Sequence, residues 1–165
     1  MLYKNSQKRY YLENAIYFVT TKTEENYPYF RNLILAEYII EVIRMARIYK
    51  RCNIFGYVVI PDHVHLLVQP FGKYTISDFM HYLKRHSSRN IRILISRKLV
   101  GEDGHPRLQG GIWQSSFHDH IIRDEEDFNR HVEYLRINPV KHGLVKEGEK
   151  YPYLYIYEKI IYGII

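Results

Sequence analysis

Apolar and polar residues alternate most clearly between Asn53 and Pro70, in the segment NIFGYVVIPDHVHLLVQP. β-branched and aromatic residues fill two runs in this segment, and the Pro61-Asp62 dipeptide between them is typical of a tight turn. The pattern therefore predicts a β-hairpin whose second strand begins directly after the turn.

The second strand of this hairpin divides its side chains into two sets, because successive residues of a strand point to opposite faces. His63 and His65 fall on one face together with Leu67. The other face carries aliphatic residues that we expect to enter the core, namely Val64, Leu66 and Val68. The two histidines then stand side by side, either as half of a metal site or as ordinary solvent-facing strand residues.

The remaining hydrophobic pattern predicts one strand before the hairpin, one strand after it, and three helices. In chain order these are a strand over 14–22, a helix over 30–50, a helix over 75–98, a loop over 99–111, a strand over 112–123 and a helix over 124–138. Strand, helix, strand, strand, helix, strand is the ferredoxin-like order of an α+β domain with an antiparallel sheet. We expect the first and third strands to be central, with helices on one sheet face and the other face open to ligands.

The helix over 124–138 has clear end signals. Asp124 is a predicted N-cap, and Asp127 three residues later gives an arrangement like a capping box. Pro139 disfavours the helical conformation of Asn138, so we expect the helix to end at Asn138. Tyr134 and Asn138 are four residues apart and should be neighbours on one face of this helix.

Length and composition predict one domain over residues 1–165, with a tail from about residue 146 that we place only as an extra strand or as an arm over the core. Cys52 is the only cysteine, which excludes a disulfide framework and a cysteine-based zinc site. The polar N-terminal residues and the lack of a long apolar run predict a cytoplasmic, nucleoid-associated protein with no membrane partner.

The net charge of +6 and the many aromatic residues favour a nucleic-acid partner, since phosphate contacts supply affinity and aromatic rings stack on bases. The predicted helix over 75–98 carries a basic cluster, Lys84, Arg85, Arg89 and Arg92. This cluster is either a solvated face or a DNA-backbone contact, and the pattern favours neither.

The candidate chemistry joins the histidine strand to the last helix. A divalent metal bound by His63, His65 and a side-chain amide can polarise a phosphodiester oxygen, and a tyrosine hydroxyl can attack the phosphorus. Tyr134 is one of 17 tyrosines, however, and a packed aromatic ring is the alternative reading of its position. A second histidine pair, His118 and His120, is a rival metal site, or else has a structural or DNA-contacting role.

Three segments in this order, IPDHVHLLVQP, WQSSFHDHIIRDEEDF and YLRINPVKHGLV, resemble the HUH single-strand transposases with one catalytic tyrosine. The resemblance runs from about residue 10 to about residue 147, and the chain looks most like the REP-associated tyrosine transposases.

This resemblance implies a ferredoxin-like fold and a role for each matched residue. His63 and His65 match the pair that binds Mg²⁺ or Mn²⁺, Tyr134 matches the nucleophile, and Asn138 matches the position of a third polar metal ligand. The implied substrate is single-stranded DNA with a hairpin beside the cleavage site. The implied product is a 5′-phosphotyrosine link with a free 3′-hydroxyl, and the reverse attack rejoins strands.

The resemblance leaves several alternatives open. Mobile relatives commonly have Gln where this chain has the shorter Asn138, whereas the Asn-Pro-Val-Lys run indicates the branch that is thought to be domesticated. The family includes both monomers and homodimers. A non-catalytic single-strand-binding module has the same fold, and a metal-dependent hydrolase with a water nucleophile would not need Tyr134.

Overall fold

A five-stranded antiparallel sheet organises the computed structural model, which describes residues 11–97 and 110–157. The elements in chain order are β1 (Tyr17–Lys22), α1 (Leu33–Tyr49), β2 (Cys52–Ile60), β3 (His63–Pro70), α2 (Ile76–Ser96), β4 (His118–Ile121), α3 (Glu125–Lys141) and β5 (Leu154–Ile156). Two short 3-10 turns, Glu24–Asn26 and Tyr29–Arg31, precede α1. The strand order across the sheet is β4-β1-β3-β2-β5, so β1 and β3 are central and the predicted ferredoxin-like α+β fold is confirmed.

The hairpin of β2 and β3 has the predicted two-residue turn at Pro61 and Asp62. A register shift between Ile54 and Gly56 interrupts the pairing of β2 with β3. A Cβ atom at Gly56 would lie 2.8 Å from Leu135 Cδ1 and 3.1 Å from the carbonyl oxygen of Tyr155. The missing side chain therefore lets the β2 backbone lie close to Leu135 of α3 and to the backbone of β5.

The two faces of the sheet pack against different helices. Helices α1 and α2 cover the face that bears Val64, Leu66 and Val68, and this face forms the larger hydrophobic cluster, as predicted. Helix α3 lies on the opposite face and forms a second cluster, made of Val58, Ile60, Leu67, Phe128, Val132 and Leu135. The prediction of a freely open second face is wrong, because the apolar side of α3 covers part of it.

The predicted strand over 112–123 is shorter than expected. Trp113 forms an isolated bridge with Thr23, and regular pairing with β1 resumes only at His118. The Lys84 ammonium donates hydrogen bonds to the carbonyl oxygens of Gln114 (2.8 Å) and Ser116 (2.6 Å). Those backbone groups are thereby satisfied without a strand partner, which explains the interruption. Most of the predicted loop over 99–111 lies outside the described residues.

Helix α3 begins at the predicted N-cap, although the Asp127 carboxylate accepts from the Arg123 amide and does not complete a capping box, and it continues past its predicted end. The Asp124 side chain accepts a hydrogen bond from the Asp127 amide at 2.8 Å. The helix then runs through Pro139 to Lys141, so the prediction that it ends at Asn138 is wrong. Asn138 and Pro139 are both buried in α3, and this packing outweighs the local backbone preference that proline imposes on the residue before it.

The C-terminal tail supplies the extra strand that was one of its two predicted placements. Strand β5 pairs antiparallel with β2, from Gly56↔Ile156 to Val58↔Leu154. Residues 158–165 lie outside the described part of the chain. In the described ranges, none of the helices combines the length and the apolar character needed to cross a bilayer.

Candidate active site

His63 and His65 lie on the face of β3 that α3 partly covers, and both are buried, with exposed fractions of 6% and 4%. A hydrogen bond of 2.6 Å joins His63 Nδ1 to Asp62 Oδ1. Another of 2.7 Å joins His65 Nδ1 to Thr20 Oγ1 on the neighbouring strand β1. Outer partners of this kind fix the ring orientation of metal-binding histidines and leave Nε2 as the ligand atom.

Burial keeps both imidazoles in the neutral form that binds metals. Desolvation lowers the pKa of His65 to about 3. Desolvation also lowers the pKa of His63, although the hydrogen bond that His63 donates to Asp62 acts in the opposite direction. Since a metal ligand must offer a free lone pair, these histidines need not lose a proton near neutral pH before they bind an ion.

Helix α3 carries Tyr134 and, four residues later, Asn138, and it brings Tyr134 into contact with His65. The rings of Tyr134 and His65 meet edge to face, with centroids 5.1 Å apart. Phe18 of β1 packs against both, at 5.5 Å from His65 and 5.7 Å from Tyr134. Asn138 lies one helical turn beyond Tyr134 and is only 1% exposed.

Three buried polar atoms of the candidate site residues have no hydrogen-bond partner. His65 Nε2 and both amide atoms of Asn138 are buried and make no hydrogen bond. Buried polar atoms are nearly always paired, so each exception calls for an explanation such as a bound ion. Two imidazole nitrogens and an amide oxygen form a donor set that suits a divalent transition metal, and the residues present therefore fit one.

Two further residues near this site were not identified from the sequence. Lys141 Nζ lies 5.2 Å from the centre of the Tyr134 ring. His142, the C-cap of α3, has its ring 5.0 Å from that of His63. The four-residue spacing from Asn138 to His142 is the sequence signal for His142, and it is informative only because α3 continues past Pro139.

The second histidine pair does not join this site. His118 is exposed, whereas His120 Nε2 lies 2.8 Å from Asp127 Oδ2. His120, Asp127 and His131 form a possible metal-binding group, with ligand atoms within 4.8 Å of one another.

Asp127 is already well paired within this group. Its carboxylate accepts hydrogen bonds from the guanidinium groups of Arg123 (3.2 Å) and Arg130 (2.9 Å). Burial alone would raise the pKa of Asp127, but the hydrogen bonds from His120, Arg130 and Arg123 outweigh burial and lower it. Two arginine cations therefore occupy the carboxylate that a metal would need.

The basic cluster of α2 lies apart from the histidine pair, since α2 packs on the other face of the sheet. Lys84 is bound to backbone carbonyls before β4, and Arg92 donates a hydrogen bond to the carbonyl of Gly110. Arg85 and Arg89 are exposed. The structure thus does not bring this cluster to Tyr134, and its role in DNA binding stays a prediction.

Comparison with known proteins identifies the class to which this fold and site belong. Residues 11–136 match the family described as Transposase IS200 like. A REP-associated tyrosine transposase of Escherichia coli strain K12 is 30% identical over 162 residues, which cover 95% of this chain and 86% of that protein. The chain therefore belongs to the IS200-like transposase family, and the predicted resemblance to REP-associated tyrosine transposases is confirmed.

A second relative and a solved structure agree with this assignment. A provisionally named REP-associated tyrosine transposase of Haemophilus influenzae is 34% identical over 96 residues, and this match spans about half (53%) of that protein. The structure of a REP-associated tyrosine transposase bound to a REP hairpin superposes with a TM-score of 0.73 at 24% identity, covering 98% of this chain and 88% of that one. At this identity the likeness establishes the shared fold.

Proposed function

We propose that this transposase cleaves and rejoins single-stranded DNA beside a hairpin, with Tyr134 as the nucleophile. One observation carries the proposal: the Tyr134 ring lies against His65, whose Nε2 is buried without a partner, as is the amide of Asn138 one turn further along α3. A packed aromatic residue alone would not require unpaired ligand atoms beside it. A non-catalytic binding module would not require them either.

His63, His65 and Asn138 are the residues that would hold a divalent ion, Mg²⁺ or Mn²⁺. The ion would polarise a non-bridging oxygen of the scissile phosphodiester. Tyr134 Oη attacks the phosphorus as its proton passes to solvent, and the bond from phosphorus to the 3′ oxygen breaks. That oxygen leaves with the electron pair and takes up a proton, which gives a free 3′-hydroxyl and a 5′-phosphotyrosine. Attack by a 3′-hydroxyl on the phosphotyrosine reverses these bond changes and rejoins the strands.

The proposed substrate follows from the family and from the charge of the chain. The related solved structure is bound to a REP hairpin, and this chain carries a net charge of +6. We propose that Arg85 and Arg89 contact the phosphate backbone of the hairpin, away from the cleavage point because α2 lies on the far side of the sheet. Lys84 and Arg92, which bind backbone carbonyls, would add positive charge to the same surface. Such a substrate would place the protein at the nucleoid.

The proposed reaction uses one chain for both parts of the site. Phe128, Val132 and Leu135 of α3 bury the apolar residues of β2 and β3 in the same chain. Removing α3 from its own sheet would expose this cluster to water. We therefore propose that Tyr134 and the histidine pair of one active site come from the same chain, whether the protein is a monomer or a homodimer.

A denaturing gel with labelled single-stranded hairpin DNA tests the proposal. We expect a covalent protein–DNA band with Mn²⁺ that disappears with chelator and in Tyr134→Phe. Tyr49→Phe, a change at an exposed tyrosine of α1, is the matched control and should keep the band. DNA cleavage without a covalent band would instead indicate a water nucleophile. Binding without cleavage across a panel of hairpins would indicate a binding module.

A further inference from the structure

His142 lies where α3 ends, beside the proposed metal ligands. Its ring and that of His63 meet with centroids 5.0 Å apart and an angle of 61° between the planes. His142 therefore contacts one member of the histidine pair directly.

The helix that carries Asn138 also carries His142 to this place. The two residues are four apart, and the His142 amide donates a hydrogen bond of 3.1 Å to the Asn138 carbonyl, so helical geometry holds to this point. Residues at this spacing lie one above the other on the same side of a helix. The unpartnered amide of Asn138 and the ring of His142, which contacts His63, thus lie on the same side of α3.

His142 differs from the other two histidines in how it is held. His63 and His65 are buried and each is fixed through Nδ1, whereas His142 is exposed. In the described part of the chain, its ring contacts His63 but makes no hydrogen bond. Among the described residues, the ring nitrogens of His63, His65 and His142 do not all lie within 4.8 Å of one another. Ligation by His142 therefore requires a change of its side-chain rotamer, which breaks no existing hydrogen bond.

We propose that His142 is a further nitrogen ligand of the metal ion held by His63, His65 and Asn138, an inference that rests on the proposed function. The completed donor set has three imidazole nitrogens and one amide oxygen. Imidazole suits transition metals, whereas Mg²⁺ is best served by oxygen ligands. The site would accordingly favour Mn²⁺ over Mg²⁺, and His142 would account for much of that preference.

Calorimetric titration of the DNA-free protein with Mn²⁺ and with Mg²⁺ tests this assignment. We expect His142→Ala to weaken Mn²⁺ binding at least tenfold, as loss of even an outer partner of a metal ligand commonly does, and to weaken Mg²⁺ binding less. His118→Ala, at an exposed histidine of β4 outside the site, is the matched control and should bind like wild type. Circular dichroism and thermal melting of each variant check that the fold is kept.

His65→Ala separates the failure of this inference from the failure of the proposed site. If His65→Ala loses Mn²⁺ binding while His142→Ala binds like wild type, the role of His142 is overturned and the metal site stands. If wild type binds neither ion, or if His65→Ala binds both unchanged, the proposed metal site itself is wrong.

Pulsed EPR of bound Mn²⁺ gives a second readout that does not depend on affinity. We expect coupling to three histidine nitrogens in wild type and to two in His142→Ala. Two nitrogens in both proteins would overturn the proposal.

Discussion

The rings of His65 and Tyr134 meet at 87°, with their centroids 5.1 Å apart. Phe18 packs against both rings, so the three aromatic groups form one contact set between β1, β3 and α3. In the described part of the chain the Tyr134 hydroxyl makes no hydrogen bond. The proposed nucleophile is thus held by the packing of its ring, which leaves its oxygen free to react.

Phe18→Leu tests whether this packing positions the Tyr134 hydroxyl for attack. The change keeps an apolar side chain but removes the ring, and we expect adduct formation to slow at least tenfold, since small misplacements of reacting groups have large kinetic effects. The free energy of unfolding should change by less than about 1.5 kcal/mol. Single-turnover adduct formation and urea unfolding measure the two quantities. Phe55→Leu removes a ring that packs on Phe128 in the same cluster. It is the control, because it should change stability by a similar amount without moving Tyr134.

Thr20→Val tests the outer partner of His65. Valine has nearly the same shape but cannot bond to His65 Nδ1, so the ring loses its fixed orientation. We expect Mn²⁺ affinity to fall by about 10- to 100-fold. Thr21→Val is a matched control on the other face of β1, because Thr21 Oγ1 is buried and makes no hydrogen bond. An equal loss of affinity in both variants would contradict the assigned role of Thr20.

Asn138→Leu should stabilise the metal-free protein and abolish the proposed reaction. The substitution removes two unpaired buried polar atoms, each of which lowers stability in the metal-free protein. We expect the free energy of unfolding without metal to rise by about 1–3 kcal/mol, while covalent adduct formation is lost. Chemical denaturation with chelator and the hairpin-DNA gel provide the measurements. A less stable Asn138→Leu protein would show that this amide has a structural partner and is not an unpaired metal ligand.

The histidine pair predicts a direction for the pH dependence of stability. The pKa of His65 falls from 6.5 to about 3 on folding, so between these values the unfolded chain binds a proton that the folded chain does not. Stability must therefore decrease as the pH is lowered through this range, by about 1.4 kcal/mol per pH unit for one such group. The lowered pKa of His63 acts in the same direction.

Chelator-treated protein unfolded in urea at a series of pH values measures this slope. His65→Gln should have a shallower slope than wild type between pH 6.5 and about 3. Equal slopes would mean that His65 is protonated in the folded protein and is not the preformed neutral ligand described above.

Local patterns were enough to predict the sheet and the central part of the site. Alternation placed His63 and His65 on one face and Val64 on the other because strand geometry has a fixed period of two. Helical spacing placed Tyr134 and Asn138 together for the equivalent reason. These predictions depend on residues close in sequence, where backbone geometry alone decides which side chains are neighbours.

The features that the sequence did not predict depend on contacts between distant segments. The bond from Thr20 to His65 requires the register of β1 against β3, which neither strand specifies alone. The covering of the second sheet face depends on how α3 docks. His142 was missed because a local rule for Pro139 was overridden by burial of that residue in the core-facing side of α3.

Helix α3 both packs against the sheet and carries residues of the candidate site, and this combination limits how its sequence can evolve. Every turn of this helix either fills the second hydrophobic cluster or carries a residue of the site, so few substitutions there would leave both intact. The exposed arginines of α2 have no such constraint and lie on the other side of the sheet. On the proposed function, substitutions in α2 would change which hairpin is bound, while α3 would keep the proposed cleavage reaction unchanged.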